Sequence, residues 1–373
     1  MVTLFYFIYF CFMIDTMTIF NTQTKKEFDD LSLQMFKFQF ENNRVYRSFC
    51  DLLYIHPSDV KTIQDIPFLP IQFFKTHNVL SPQQPIQTTF TSSGTTGSIT
   101  SKHHVTNLEI YKKSFTKGFE NVYGAIEDYV VLALLPSYLE REGSSLIYMV
   151  NAMITKSNQQ ESGFYLNNLD ELKNQLIQLD SQGKKVLLIG VSFALLDLIE
   201  THKFQLKHTI IMETGGMKGR RKELIREDLH NKLKAGFGVD AIHSEYGMTE
   251  LLSQAYSTGQ GLYNCPNWMR VLSRDTEDAL SIQPTGKTGG INIIDLANIN
   301  SCSFIATQDL GRIHTNGSFE VIGRFDHSDI GTLNYKTLSC YLIHDLLLNM
   351  IYETFCANIF SGNFLFIFPI YRL

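Results

Sequence analysis

Apolar segments of strand length alternate with helical segments through the middle of this 373-residue chain, and this alternation constrains the fold more than any other feature. Each apolar run ends in a proline, a glycine or a polar turn, and the predicted strands are 129–135, 185–189, 209–212 and 241–243. Strands that are buried on both faces and alternate with helices predict an α/β fold with a largely parallel sheet.

The turns that follow these strands are the expected position of a ligand site. Ligands in open parallel sheets bind outside the carboxyl ends of the strands. Gly190, the segment 214–216 and the pair Tyr246-Gly247 all fall at such ends. Beyond Asn264 the sequence becomes rich in glycine and threonine with short strand-like runs, which predicts a small β subdomain after the main sheet.

Composition and charge exclude several classes of protein. The net charge of −5 argues against a nucleic-acid-binding protein, which would carry a basic face. The six cysteines include no CxxC pair, so we expect neither a zinc site nor a disulfide framework. A reducing, cytoplasmic compartment fits this cysteine usage best.

The two ends of the chain differ from its middle. Residues 1–16 form an almost wholly apolar leader, which is too short to span a bilayer because about 20 residues are needed. It also lacks the basic start of a secretory signal. We expect this leader to be extra, with Met17 as the natural start, and a membrane anchor is the alternative. The main domain is predicted to span 17–322, followed by an aberrant apolar tail over 323–373.

A loop of serine, threonine and glycine follows a short β-prone run at 88–90. Its members are Thr91, Ser92, Ser93, Gly94, Thr95, Thr96 and Gly97. Glycines let backbone N–H groups approach an anion, and hydroxyls donate further hydrogen bonds to phosphate oxygens. The loop does not match the GxxxxGK[ST] pattern of a P-loop. It predicts a phosphate-binding loop, to which Lys102 adds a positive charge downstream, and a flexible surface loop is the alternative.

The segment 243–250 (HSEYGMTE) combines several groups suited to a nucleotide. Glu250 offers a carboxylate to Mg²⁺, which prefers hard oxygen ligands. Tyr246 offers a flat face to a purine, and Thr249 offers a hydroxyl to a phosphate. The alternative is a polar turn between a strand and a helix, in which Glu250 stabilises the helix N-terminus.

Three further positions carry weaker signals when each is taken alone. Gly215 and Gly216 form a backbone bend beside which a planar base can lie. Asp309 can accept hydrogen bonds from ribose hydroxyls, and Arg324 can pair with a phosphate or nucleotide oxygen. Each position also fits a plain turn or an ordinary exposed arginine.

The order of these motifs resembles the core of the adenylate-forming superfamily. The matching motifs are TSSGTTG at 91–97, TGG at 214–216, YGMTE at 246–250, DLG at 309–311 and GRFD at 323–326. Within the superfamily the chain is most similar to the LuxE-type acyl-protein synthetases, or long-chain-fatty-acid–luciferin-component ligases. Phenylacetate–CoA ligases are more distant. The resemblance covers 17–330 and is supported by the stretches 66–70, 73–75 and 188–190.

The resemblance implies a fold, two cofactors and a set of site residues. The implied fold is a large domain of mostly parallel sheets flanked by helices, with a small β subdomain, and the implied cofactors are ATP and Mg²⁺. Residues with an implied catalytic role are Thr91, Ser92, Thr95, Thr249, Glu250 and Arg324. Residues with an implied role in holding the nucleotide are Ser93, Gly94, Thr96, Gly97, Lys102, Gly215, Gly216, Tyr246, Gly247 and Asp309. The implied metal ligand is Glu250.

The C-terminal region departs from the family pattern. The superfamily usually carries a mobile C-terminal domain with a catalytic lysine, and too little chain follows Arg324 for a full one. LuxE-type proteins carry an acyl-accepting cysteine near the C-terminus, where this chain continues as GTLNY at 331–335 into an unrelated tail. Cys340 is the nearest thiol, and a small buried apolar residue is the alternative role for it. The abrupt change indicates a read-through or a shifted frame.

The predicted activity is ATP-dependent conversion of a carboxylic acid, expected to be a long-chain fatty acid, to an acyl-adenylate, followed by transfer to a thiol. The expected partners are this acid and, as acceptor, CoA, an acyl carrier protein or a reductase subunit, without nucleic acid or membrane. Two alternatives stay open. One is an acyl-CoA ligase of the phenylacetate–CoA ligase type, and the other is a non-catalytic nucleotide-binding protein, which the altered tail motivates.

Overall fold

The computed structural model describes residues 14, 16–81, 85–93, 99–136, 143–215 and 224–325. The α-helices in these ranges are α1 (Thr16–Asn21), α2 (Lys25–Asn42), α3 (Arg44–Leu52), α4 (Phe73–Thr76), α5 (Leu108–Tyr123), α6 (Ser145–Ser157), α7 (Leu169–Ser181), α8 (Ser192–Thr201) and α9 (Arg226–Phe237). The predicted domain boundaries fall near or beyond the edges of the described residues and stay predictions.

The strands fall into two six-stranded sheets and one hairpin. The strands are β1 (Leu69–Pro70), β2 (Thr88–Thr91), β3 (Lys102–Val105), β4 (Val130–Leu134), β5 (Gly163–Phe164), β6 (Val186–Val191), β7 (Thr209–Thr214), β8 (His243–Tyr246), β9 (Ala255–Ser257), β10 (Leu262–Tyr263), β11 (Met269–Arg274), β12 (Thr288–Asp295), β13 (Phe304–Ile313) and β14 (Phe319–Arg324).

The first sheet has the order β5-β4-β6-β7-β8-β9 and is parallel except for its edge strand β9. Every residue of β4 and β6 is buried, as continuous apolar runs predict for a parallel sheet covered by helices. Helices α6, α7 and α8 pack against these two strands. The predicted α/β class is confirmed. The ends of the first three predicted strands shift by one or two residues, and the fourth, β8, begins at His243 rather than at Ala241.

The second sheet has the order β10-β14-β13-β12-β11 and is antiparallel. It corresponds to the β-rich region predicted beyond Asn264, with β10 starting at Leu262. The sixth strand of this sheet comes from far upstream in the sequence. It is β1, which pairs in parallel with β13 through Leu69 and Pro70. The N-terminal part of the chain is therefore built into this sheet.

The N-terminal helices are fixed to the second sheet by buried polar and aromatic contacts. The Gln39 side chain on α2 donates to the carbonyl oxygens of Asn298 and Ile299 at 2.9 and 3.0 Å. The rings of Phe36 and Tyr46 pack on Phe304 of β13 at centroid distances of 6.4 and 5.9 Å. Among the described helices, none is long and apolar enough to cross a membrane.

Candidate active site

The serine–threonine–glycine loop connects the two strands of the β2–β3 hairpin. Thr91 at the end of β2 pairs with Lys102 at the start of β3. Beyond this pair the Ser92 amide donates to the Ser101 carbonyl at 3.1 Å, and the Ser101 amide donates to Ser92 Oγ at 2.9 Å. The Thr91 amide also donates to the carbonyl of Gly143 at 2.7 Å. Hydrogen bonds to Ser101 on the opposite strand and to Gly143 thus fix the base of the loop.

Several predicted site residues lie outside the described residues, and their assignments stay predictions: Gly94, Thr95, Thr96, Gly97 and Gly216. Ser93 and Lys102, which lie before and after the undescribed residues 94–98, are both exposed. The described residues Thr91 and Ser92 bear hydroxyls at the base of this loop.

Glu250 lies buried beside this hairpin, with only 5% of its surface exposed. Burial raises its pKa, while a hydrogen bond from the Ser101 hydroxyl and the charges of Lys75 and Arg324 act to lower it. Its backbone carbonyl accepts a hydrogen bond from Asn298 Nδ2 at 2.7 Å. The carboxylate is therefore hydrogen-bonded to Ser101 beside the loop, while the backbone of Glu250 is bonded to Asn298 between β12 and β13.

In the described segment that follows Glu250 the next element is the strand β9, so the alternative interpretation of a turn between a strand and a helix is wrong. The chain turns at Thr249 and Glu250 and continues through an irregular segment into β9. A turn of this kind leaves the carboxylate without a helix dipole to stabilise.

His103 links the hairpin to the Glu250 turn and was not identified from the sequence. It is almost fully buried on β3, and its Nδ1 lies 2.8 Å from the carbonyl oxygen of Thr249. A carbonyl can only accept, so Nδ1 carries the proton. Burial lowers the pKa of His103 to about 4, which keeps the ring neutral near pH 7.

Tyr246, Asp309 and Arg324 form one hydrogen-bonded group, which joins the end of the first sheet to the second. The Tyr246 hydroxyl donates to Asp309 Oδ2 at 2.8 Å, and Arg324 Nε donates to Asp309 Oδ1 at 3.0 Å. Burial and the nearby Asp309 charge raise the pKa of Tyr246 well above its ordinary value. The Arg324 side chain is 80% exposed, so it can reach a ligand while Asp309 orients it.

Gly215 and Gly247 each occupy a position that excludes a side chain. Gly215 has a φ of +67°, the left-handed region that favours glycine. A Cβ on Gly247 would collide with the carboxylate of Glu245. Both residues follow the carboxyl ends of neighbouring parallel strands, β7 and β8, where a ligand site was predicted.

Lys75, Ser101 and Asn298 are further site residues that sequence reasoning missed. Lys75 lies in the short helix α4, and the ring of the neighbouring Phe74 packs against His103 with 5.7 Å between the ring centroids. In the sequence the run 73–75 is distinctive only as part of the family resemblance. Ser101 and Asn298 occur in stretches with no distinctive pattern, so only their placement in the fold shows that they contact Glu250.

Glu250 is the described residue predicted to hold a metal ion. Among the described residues there is no group of three or more histidine, cysteine or acidic side chains able to hold a metal ion. Mg²⁺ in phosphate-transfer sites keeps several waters and takes one or two protein carboxylates together with substrate phosphates. The single buried carboxylate of Glu250 beside the loop satisfies that requirement.

Comparison with known proteins identifies the family. The family model for the acyl-protein synthetase LuxE matches residues 9–330. The chain belongs to the LuxE acyl-protein synthetase family. A long-chain-fatty-acid–luciferin-component ligase from Vibrio harveyi is 22% identical over 294 residues, which cover 74% of this chain and 76% of that relative. Family membership confirms the predicted family and the enzyme class, an acid–thiol ligase that activates its acid as an adenylate.

Solved structures of acyl-CoA ligases share the fold. A 2-hydroxyisobutyryl-CoA ligase in an open conformation with 2-HIB-AMP and CoA is 12% identical, with a TM-score of 0.55 over 82% of this chain and 77% of that one. The same ligase in the postadenylation state gives a TM-score of 0.56 over 81% and 68%. ATP-bound MatB from Rhodopseudomonas palustris is 16% identical with a TM-score of 0.48, and this chain spans 48% of its length. The predicted adenylate-forming fold is confirmed.

Proposed function

We propose that this protein activates a long-chain fatty acid with ATP, forms an acyl-adenylate and pyrophosphate, and passes the acyl group to a thiol. The observation that carries the proposal is the convergence of Glu250, the β2–β3 hairpin and the Asp309–Arg324 pair in one described site. The named activity of the Vibrio harveyi relative supports a fatty acid as the substrate. A cytoplasmic location is part of the proposal and agrees with the dependence on ATP.

The chemical difficulty of the first step is electrostatic, because two anions must meet. A carboxylate oxygen of the acid forms a bond to the α-phosphorus while the bond from that phosphorus to the bridging oxygen breaks, and pyrophosphate leaves. Positive groups and donors that face the phosphates lower the repulsion and stabilise the transition state. The hydroxyls of Thr91 and Ser92, with the cations Lys102 and Arg324, supply this environment at the mouth of the hairpin.

Glu250 would hold Mg²⁺, which when bound neutralises phosphate charge and orients the triphosphate. Ligation requires an ionised carboxylate, and burial acts against ionisation. The Ser101 hydrogen bond and the charges of Lys75 and Arg324 favour the ionised form. These three residues oppose the effect of burial, which still leaves the pKa of Glu250 raised, and a bound cation would favour the ionised form further.

Tyr246 and Asp309 would hold the nucleoside. The exposed Arg324 side chain is oriented through Asp309, whose carboxylate also accepts from Tyr246. In this arrangement Asp309 offers ribose hydroxyls a charged acceptor, and the Tyr246 ring offers the base an apolar wall. The Gly215 and Gly247 turns leave room for the base to approach the backbone closely.

The described cysteines are poor acyl acceptors. Burial raises the pKa of Cys265 and that of Cys302 to about 12, and it raises the pKa of Cys50 further. A thiol that stays protonated is a weak nucleophile. We therefore place the acceptor outside the described part of the chain, on CoA, on a carrier protein or reductase subunit, or on a cysteine such as Cys340.

The proposal is tested by pyrophosphate exchange into ATP across a panel of carboxylic acids. Exchange that requires a fatty acid and rises with chain length supports adenylation of a long-chain acid, and no exchange with any acid contradicts it. Adding labelled fatty acid together with CoA or a carrier protein then shows which acceptor receives the labelled acyl group. Label on the protein itself would indicate an internal cysteine.

A further inference from the structure

The Glu250 segment, residues 249–253, crosses from β8 toward β9 without forming a helix or a strand. Within it Leu251 and Ser253 are fully buried. Buried backbone N–H and C=O groups must find hydrogen-bond partners, and an irregular segment has no ladder to supply them. Several of the partners are therefore side chains that reach the segment from other elements, as His103 does for the Thr249 carbonyl.

One short 3₁₀ helix, Leu296–Asn298 at the end of β12, provides two more side chains of this kind. Asn298 is its last residue, and Asp295 directly precedes it. Asp295 Oδ1 accepts from the Ala297 amide at 3.1 Å and so caps the helix. Both side chains are fully buried. Since a 3₁₀ helix has three residues per turn, they stand one turn apart and can reach the same neighbouring segment.

Asp295 bonds the far end of the Glu250 segment. Its Oδ2 accepts from the amides of Leu252 and Ser253 at 2.8 and 3.0 Å, and its Oδ1 accepts from the Ser253 hydroxyl at 2.6 Å. The Ser253 Oγ also accepts from Trp268 Nε1 at 3.0 Å. Burial raises the pKa of Asp295 to about 6, so at about pH 8 the carboxylate is ionised and able to accept all of these bonds.

Asn298 bonds the start of the same segment, because its Nδ2 donates to the Glu250 carbonyl at 2.7 Å. The 3₁₀ helix is itself fixed from α2, where the Gln39 side chain donates to the carbonyl oxygens of Asn298 and Ile299. One anchored turn thus holds the backbone of Glu250 and also the backbone of the residues two and three positions after it. The proposed reaction assigns no role to Asp295 and none to the Asn298 side chain.

We propose that Asp295 and Asn298 are positioning residues for Glu250, which hold its segment where the carboxylate can take a divalent cation that is bound to a nucleotide. The inference rests on the proposed function, because it takes Glu250 as the protein ligand of that cation. Both residues act through the backbone of the segment, and neither is placed against the nucleotide. Substituting residues that hold a metal ligand in place typically weakens metal binding by roughly 10- to 100-fold.

The contribution of the metal to nucleotide binding tests this role without acid or turnover. Isothermal titration calorimetry of the full chain gives the dissociation constants for ATP with Mg²⁺ and for ATP in EDTA, and their ratio is the metal contribution. Asp295→Asn turns one oxygen into an NH₂ group, which faces a backbone N–H in either orientation of the amide. Asn298→Leu keeps the branched shape and deletes the donor to the Glu250 carbonyl.

Each of the two substitutions should lower the metal contribution about tenfold. Binding of ATP in EDTA should stay unchanged, because Glu250 contacts the nucleotide through the cation. Glu250→Gln, which removes the ligand itself, sets the largest loss that positioning variants can show.

Matched variants separate positioning from a general loss of buried hydrogen bonds. Asp180 is another buried carboxylate, which accepts from two backbone amides and from the Thr209 hydroxyl at the start of β7. Asn43 is another buried amide, which donates to the Ser301 carbonyl at 2.8 Å. Asp180→Asn and Asn43→Leu should both keep the wild-type metal contribution.

Ser253→Ala decides the question if either larger substitution prevents folding, which far-UV circular dichroism shows. It removes only the hydroxyl that joins Asp295 to Trp268 and leaves both backbone amides bonded to the carboxylate. We expect the metal contribution to fall about threefold, as the loss of one net hydrogen bond allows. The wild-type value in Ser253→Ala would then overturn the inference.

A wild-type metal contribution in folded Asp295→Asn and Asn298→Leu would overturn the inference, and so would an equal loss in the two control variants. ATP binding that weakens equally with Mg²⁺ and in EDTA would indicate a general distortion and would also overturn it, as would wild-type protein that binds ATP equally well in both conditions. If Mg²⁺ strengthens ATP binding to the wild type but no acid supports exchange, the proposed function alone is contradicted. Calorimetry would still decide the role of the two positioning residues.

Discussion

At the scale of single residues, the site combines a buried carboxylate with a buried neutral imidazole. His103 donates to the Thr249 carbonyl, next to Glu250, and its lowered pKa keeps it uncharged near pH 7. The positive charge that favours an ionised Glu250 comes instead from Lys75 and Arg324, both exposed at the rim. His103 therefore positions the turn without contributing charge, and Lys75 and Arg324 carry the positive charge at the exposed rim.

His103 should make the protein less stable as the pH falls. Its pKa is about 4 when folded and 6.5 in its ordinary state, so between these values the unfolded chain binds a proton that the folded chain does not. Above pH 6.5 the free energy of unfolding should keep its full value. As the pH falls from 6.5 to about 4, this free energy should decrease by about 3 kcal/mol. Urea denaturation of wild type and His103→Gln, near neutral pH and near pH 4.5, measures this. Equal losses in the two proteins would contradict it.

Lys75 should contribute to nucleotide binding. Its charge acts on Glu250 from the short helix α4, which the ring contact between Phe74 and His103 holds against the hairpin. Lys75→Met should raise the KM for ATP about tenfold, since a cation beside a polyphosphate is worth roughly 1.4 kcal/mol. Lys37→Met, on the exposed face of α2, is the matched control. A KM for ATP that is the same in both variants would remove Lys75 from the site.

At the scale of elements, the periodicity of the sequence predicted the first sheet well but not how distant segments join. Continuous apolar runs identified β4, β6 and β7 because a parallel strand buried on both faces needs them. The pairing of β1 with β13 was not predicted, since a two-residue strand carries no periodic signal. The contacts between α2 and the second sheet depend on side-chain amides whose partners lie more than 250 residues away.

Gln39 should be important for stability at this junction. Its amide donates to the carbonyl oxygens of Asn298 and Ile299, and its oxygen accepts from the Ser303 amide at 2.9 Å. Gln39→Leu leaves these buried backbone groups without partners and should lower the free energy of unfolding by about 2–4 kcal/mol. Gln34→Leu, exposed on the same helix, should change it little. Chemical denaturation of both variants measures the free energy of unfolding. If both substitutions lower it by the same small amount, Gln39 does not stabilise this junction.

At the scale of the whole molecule, the site forms where three separate parts of the fold meet. The β2–β3 hairpin contacts the Glu250 turn through His103, and the end of β8 contacts the second sheet through Tyr246 and Asp309. The sequence predicted the motifs because each one is a local run of small or polar residues after a strand. It could not predict Lys75 or His103, because their roles arise only from the packing of α4 and β3 against that turn.

The most direct test of the account is acid-dependent pyrophosphate exchange in a Glu250→Gln variant. The amide keeps the size of the side chain and removes the charge that would hold Mg²⁺. With a long-chain fatty acid, the variant should exchange about 100-fold more slowly than wild type, while Glu41→Gln, exposed on α2, should match wild type. Exchange by Glu250→Gln at the wild-type rate would contradict the assignment of this site to acyl adenylation.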